Sequence, residues 1–264
     1  MSNPNLHTVT PYPDINDLLQ CLTEEVSKIL STNLVGIYLF GSLTYDAFLP
    51  DRSDIDIVVI VKKALNSNEL IEVKKLHEEI QQKFPQWANR LEVSYTPLSM
   101  FTEVLPPKQP RPYFGAGIFY PEAQYGNEWI INNYLLYESG VVLAGPEIKT
   151  LISKVKIHDV QVANIRDLHE EWQPKMMDLN YLDDSHQQSY VVLNLCRILH
   201  TAFQHFPTSK QDSADWVKTQ FPEWVELITI AEHWKYGLEM DRKEETRRFL
   251  QFTIQIIDES TLPQ

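Results

Sequence analysis

Asp54 and Asp56 stand two residues apart in Ser53-Asp54-Ile55-Asp56-Ile57, at the start of a run rich in β-branched residues. In an extended chain alternate side chains leave the same face, so both carboxylates point one way. Two such charges repel unless a cation lies between them. Hard oxygen donors suit Mg²⁺, which takes one or two carboxylates and fills its shell with water and phosphate oxygens. Eleven residues separate Asp54 from Gly41-Ser42. Gly41 lets backbone approach a phosphate closely, and the Ser42 hydroxyl and amide can donate to its oxygens. A third carboxylate, Glu92, lies in the apolar run Leu91-Glu92-Val93. An acid in such a strand needs a partner, and the aspartate pair with its metal supplies one. Singly, each feature has a plain structural reading: a solvated strand face, a turn, an edge charge that blocks aggregation. Together and in this order they point to phosphate chemistry.

The elements that must carry these groups are legible in the periodicity. Ile15, Leu18, Leu19, Leu22, Val26 and Ile29 step by three and four, which predicts an amphipathic helix with Asp14 or Asp17 as its cap. Residues 34–40, 55–61 and 91–95 read as strands, and residues 68–84 as a helix with Leu70, Val73, Leu76, Ile80 and Phe84 on one face. That order is a small α/β unit built on a sheet. The proline cluster of residues 105–112 interrupts both kinds of element and is expected to mark a crossing between domains. Helices are expected over 128–138, 190–206, 212–220, 224–236 and 243–257, with Gly145-Pro146 stopping the apolar stretch 141–144. The expected class is therefore α+β: a mixed sheet with helices over residues 1–105, a connecting segment over 106–156, and an all-α helical domain over 157–264.

Composition excludes several classes. The chain has 264 residues, 43% of them hydrophobic and 22% charged, which is a globular and not a disordered balance. A net charge of −13 disfavours nucleic acid and anionic membranes and suits a cationic small molecule. Cys21 and Cys196 cannot build a disulfide framework, so a reducing, cytoplasmic setting is expected. Residues 1–13 have no charged start followed by an apolar run, and no stretch is apolar enough for a membrane span.

Leu39-Phe40-Gly41-Ser42 followed by Ser53-Asp54-Ile55-Asp56-Ile57 resembles the signature of the polymerase-β-like nucleotidyltransferases. Asn194-Leu195-Cys196-Arg197-Ile198, the run from Thr208 to Trp216 and Ala144-Gly145-Pro146 resemble the helical domain of the streptomycin/spectinomycin adenylyltransferases. The resemblance implies Mg²⁺ at Asp54, Asp56 and Glu92, with Glu92 also the general base on an acceptor hydroxyl. It implies ATP as co-substrate, its phosphates near Gly41, Ser42 and Ser53, and Arg197, Lys210 and Tyr236 reaching the nucleotide from the helical domain. An AMP ester and pyrophosphate would be the products. The implied acceptor is a small hydroxylated, cationic molecule such as an aminoglycoside, bound between the domains of a monomer, which would make the chain an antibiotic-resistance enzyme. Asp159, Asp167, Glu170, Glu171, Asp178, Asp183 and Asp184, against Arg166 and Lys175, would attract such a polycation. Where those enzymes place an acid and a histidine, this chain has Gln187 and Tyr190, and it lacks their Gly-Glu-Trp run before Gly115. Two alternatives stay open: a protein acceptor, and a nucleotide-binding relative that no longer catalyses.

Overall fold

The apolar stripe at the start of the chain buries itself as expected. In α1 (Pro13–Leu30) Ile15, Leu18, Leu19, Leu22 and Val26 are fully buried. Neither candidate aspartate caps this helix. Tyr12 holds the cap position without a side-chain bond and Pro13 opens the first turn, while Asp14 accepts from the Trp87 indole N–H at 2.9 Å. The computed structural model describes residues 6–175, 178 and 180–260; the outer limits of the expected domains, and the first residues of the 1–13 stretch, lie outside them.

The strands β1 (Leu34–Phe40), β2 (Ile55–Val61), β3 (Leu91–Pro97), β4 (Arg111–Gly115), β5 (Ile118–Ala123) and β6 (Val141–Ala144) form one six-stranded sheet in the order β5-β4-β3-β2-β1-β6. β2 and β3 run parallel and every other neighbouring pair is antiparallel. The parallel pair is joined by α2 (Ser67–Lys83), whose start is fixed by a capping box between Asn66 and Glu69. Alternation decides what each sheet face meets. Ile37, Leu39, Ile57, Val59, Leu91, Val93 and Tyr95 pack with α1 and α2 in one core, and Tyr38, Val58 and Ile60 pack with Leu136 of α3 (Glu128–Ser139) on the other face. Behind the sheet, His77 of α2 is fully buried, stacked on Phe114 at 4.2 Å with its Nε2 2.9 Å from the Tyr95 hydroxyl. Burial pushes its pKa down to about 3.

The proline cluster is not where the fold divides. Residues 106–155 belong to the sheet unit and add β4, β5, α3 and β6. Pro112 is tolerated inside β4 because it falls where the β4–β5 register shifts, between Arg111 and Tyr113. The chain separates into two compact units: one comprises the chain up to Phe48 with Ser53–Val155, the other Leu49–Arg52 with the chain from Lys156 onward.

The second unit is helical. α4 (Ile157–Asp167) continues through a π-helical turn (Leu168–Trp172) into the short α5 (Gln173–Lys175). α6 (Ser185–Gln204) is the central helix, packed by α4, α7 (Lys210–Gln220), α8 (Val225–His233) and α9 (Lys243–Glu259). α6 starts five residues before the expected 190, where the Asp184 carboxylate accepts from the His186 amide at 2.7 Å, and it ends on His205 in the left-handed region. The Arg52 guanidinium closes the end of α8 by donating to the carbonyls of Ala231, Glu232 and Trp234 at 3.1, 2.9 and 3.3 Å. No helix among the described residues is long and apolar enough to cross a membrane.

Candidate active site

β1 ends at Phe40, and the chain turns at once through a 3-10 segment, Gly41–Thr44. Gly41 has φ +73°, and a Cβ there would collide with the Asp56 carboxylate, falling 2.9 Å from Asp56 Cγ. Glycine is needed twice over, for conformation and for space. The Thr44 hydroxyl donates back to the Gly41 carbonyl at 2.8 Å, and the Ala47 amide to the Ser42 carbonyl at 3.1 Å, so the turn is tied down behind Ser42.

Ladder register sets the carboxylates. Asp56 lies opposite Phe40 on β1 and opposite Glu92 on β3. Partnered residues on adjacent strands share a face about 4.8 Å apart, so Asp56 and Glu92 project side by side. They do so on the face away from α1 and α2, with Ser94 beyond Glu92, and all three line one cavity. Asp54 stands one residue ahead of β2, half-buried. Its segment is gripped by Arg90, whose guanidinium donates to the Ser53 carbonyl and whose own carbonyl accepts from the Ile55 amide at 2.7 Å. Arg90 also lies over the Trp87 ring at 4.8 Å.

Two residues absent from the sequence reading complete this face. Tyr113 lines the same cavity as Glu92 and Asp56 and lies within reach of both charges. Burial first, then the Glu92 and Asp56 charges, raise its pKa far above the usual phenol range, so it stays a donor. Arg111 is buried between the rings of Tyr125, at 4.0 Å, and Tyr113, at 5.1 Å. Its Nε donates to Ser94 Oγ at 3.1 Å, and its Nη1 to the carbonyls of Gln124 and, at 3.4 Å, Ala123. Desolvation lowers its pKa from the ordinary arginine value. Alternation along 111–115 was the signal that would have found both, hidden by the prolines around it.

Among the described residues no group of three or more His, Cys, Asp and Glu side chains is disposed to hold a metal ion. A cation on this face therefore relies on two carboxylates, with phosphate oxygens to complete the shell. That donor set fits Mg²⁺, which needs no all-protein cage.

In the helical unit, Lys210 is the first residue of α7 and lies over the Tyr190 ring at 4.8 Å. Tyr236 is 54% exposed and stacks on His186 at 5.4 Å, and His186 lies 5.4 Å from Trp234 and 5.9 Å from Tyr190. Lys210 and Tyr236 thus belong to one aromatic row. Arg197 is half-buried in the middle of α6 and makes no ion pair with any described residue. Several of the acids are engaged structurally: Asp167 accepts from the Trp172 indole at 2.7 Å, Glu171 pairs with Lys175, Asp183 pairs with Lys243, and Asp184 caps α6.

Comparison with known proteins covers both units. Residues 22–97 match the family described as "Nucleotidyltransferase domain", and residues 151–258 match "Aminoglycoside adenylyltransferase, C-terminal domain". A Spectinomycin 9-adenylyltransferase of Campylobacter jejuni is 27% identical over 230 residues, covering 83% of this chain and 85% of the relative. The crystal structure of a spectinomycin adenyltransferase from Enterococcus faecialis, with ATP and spectinomycin, superposes with a TM-score of 0.72 at 19% identity, covering 92% of this chain and 99% of that one. That likeness shows the shared fold.

Proposed function

We infer, from the premise that this chain is a nucleotidyltransferase resembling the aminoglycoside adenylyltransferases, that it transfers AMP from ATP to a hydroxyl of a small cationic acceptor of the spectinomycin class and releases pyrophosphate. The observation that carries this reading is the in-register pair Asp56 and Glu92 beside the Gly41 turn. Glu92 takes the proton of the acceptor hydroxyl, whose oxygen forms a bond to the α-phosphorus as the bond to the β-phosphate oxygen breaks. Tyr113, kept protonated beside Glu92, is placed to orient that carboxylate while it does so. Asp56, with Asp54, would hold Mg²⁺, which neutralises charge on the triphosphate and on the departing pyrophosphate. The Gly41 turn, Ser42 and Ser53 approach the phosphates, and Arg197, Lys210 and Tyr236 add contacts to the nucleotide from the helical unit. The net charge of −13 favours a cationic acceptor, and two unpaired cysteines fit a cytoplasmic enzyme.

The test is incubation of the protein with α-labelled ATP and Mg²⁺, with spectinomycin, with streptomycin and with cell lysate in separate reactions. Labelled spectinomycin and stoichiometric pyrophosphate are the expected result. Label appearing on protein bands alone would move the acceptor to a protein, and no transfer in any arm would remove the activity.

A further inference from the structure

The cavity that Asp56 and Glu92 line is bounded on its α3 side by Trp129, Asn132 and Asn133. It is partly open to solvent. Its polar walls are almost all engaged. The Trp129 indole donates to the Glu103 carbonyl at 2.9 Å, the Tyr125 hydroxyl donates to Thr96 Oγ1 at 3.2 Å, Glu128 accepts from the Gly126 amide at 3.1 Å, and Arg111 is held as described.

Asn133 is different. It is only 6% exposed, it lines the cavity, and its amide makes no hydrogen bond with any described residue. An amide offers two donors and one two-lone-pair acceptor, and those of Asn133 are not among the sealed, unpartnered polar atoms of the fold but open onto the cavity. Asn132, next to it on α3, also lines the cavity and also has no hydrogen-bond partner among the described residues. A polar group that opens onto a space bounded by aromatic rings is suited to a ligand that brings hydrogen bonds and C–H surface together.

Resting on the activity inferred above, we propose that the α3 side of the cavity is the acceptor's ring subsite. The Asn133 amide would donate to and accept from neighbouring hydroxyl or amine groups on a saturated ring, with Asn132 beside it. Trp129 and Tyr125 would lie against the ring's C–H surface. A ring seated there sets a second hydroxyl toward Glu92 and Asp56. Selection of the acceptor thus falls to α3, an element outside the two segments matched by the families.

Asn133→Leu fills nearly the same volume without the amide, and Asn133→Ala removes the amide and leaves space. Both are expected to raise the KM for spectinomycin about ten-fold or more, with the KM for ATP within two-fold of the parent. The melting temperature of Asn133→Leu should be equal to or above the parent's, because the amide makes no bond to a described residue and leucine adds apolar surface against the cavity wall. A purely structural residue would give the reverse. An unchanged spectinomycin KM in Asn133→Ala overturns the subsite, as does a rise in the ATP KM instead, which would place the nucleotide there. Calorimetric titration with spectinomycin needs no turnover and separates this inference from the activity. Binding without turnover, weakened by Asn133→Ala, keeps the subsite and removes the activity; equal binding by parent and variant, or none by either, removes the subsite.

Discussion

The two units hold their candidate functional groups by different means. In the sheet unit, Asp56 and Glu92 are placed by backbone hydrogen bonding, so their spacing is the repeat distance of the β2–β3 ladder and cannot drift without breaking it. Gly41 presses against Asp56 with no room for a methyl group. In the helical unit, Lys210 and Tyr236 are held by ring faces: Tyr190 under the ammonium, His186 under the phenol. Ring stacking tolerates displacement that a strand ladder does not, and Tyr236 is more than half exposed. Asp56 and Glu92 sit on strands, whereas Lys210 opens a helix and Tyr236 lies in a loop. Changes in the sheet should therefore act on turnover, and changes in the aromatic row on affinity.

The largest test of that division is Asp56→Asn, which keeps shape and removes charge. Turnover should fall by at least about 10³-fold with the fold intact, as judged by circular dichroism and melting temperature. Retained turnover would mean that register alone does not make this a reaction centre. Glu92→Gln should slow turnover by at least about a hundred-fold while calorimetric Mg-ATP binding stays near the parent value. Loss of ATP binding together with activity would instead make Glu92 a metal ligand first. Lys210→Ala should do the opposite of Glu92→Gln. It is expected to weaken ATP by about ten- to a hundred-fold, roughly 1.5–3 kcal/mol for one charge-assisted contact, with saturated turnover close to the parent's. Equal ATP affinity in parent and variant would erase the helical side of the comparison.

The smallest effect concerns acid. His77 has an ordinary pKa of 6.5 and a folded value of about 3, so below pH 6.5 the unfolded chain binds the extra proton and the folded chain does not. The stability that neutral His77 contributes is complete above pH 6.5 and declines as pH falls toward 3. Between pH 7 and pH 5 it should account for about 2 kcal/mol of lost unfolding free energy. Urea titrations of the parent and of His77→Leu at both pH values measure it, and identical pH slopes would show that His77 does not set the acid sensitivity of the sheet unit.

Much of the sheet site was legible because its signals were local. Leu91, Glu92 and Val93 alternate so plainly that Glu92 had to leave the core face, and strands 55–61 and 91–95 joined by a helix imply the parallel pairing that sets it beside Asp56. β4 and β5 were not legible. Pro112 argues against a strand, and its tolerance depends on a register shift that only the paired partner reveals. β5 is an edge strand, with Ile118 and Tyr120 exposed, so it lacks the apolar face that alternation would display. Arg111, Tyr113 and Asn133 went unseen for the same reason: each matters through neighbours brought from distant positions. The acids before α6 misled in part, since a sequence cannot separate a carboxylate that caps a helix from one that faces solvent.

Arg52 bears on how this protein could be recombined. Its guanidinium ends α8, yet it belongs to a four-residue piece of chain more than a hundred residues ahead of the first helix it serves with. The helical unit is thus discontinuous in the gene, although its own core looks like a cassette that begins at Lys156. A chimera that exchanges only the downstream segment carries off α8 without its plug, leaving three carbonyls at that terminus to water. Cutting this protein into interchangeable halves works only when the short upstream patch travels with the helices, so the natural unit of exchange is two stretches of sequence and not one.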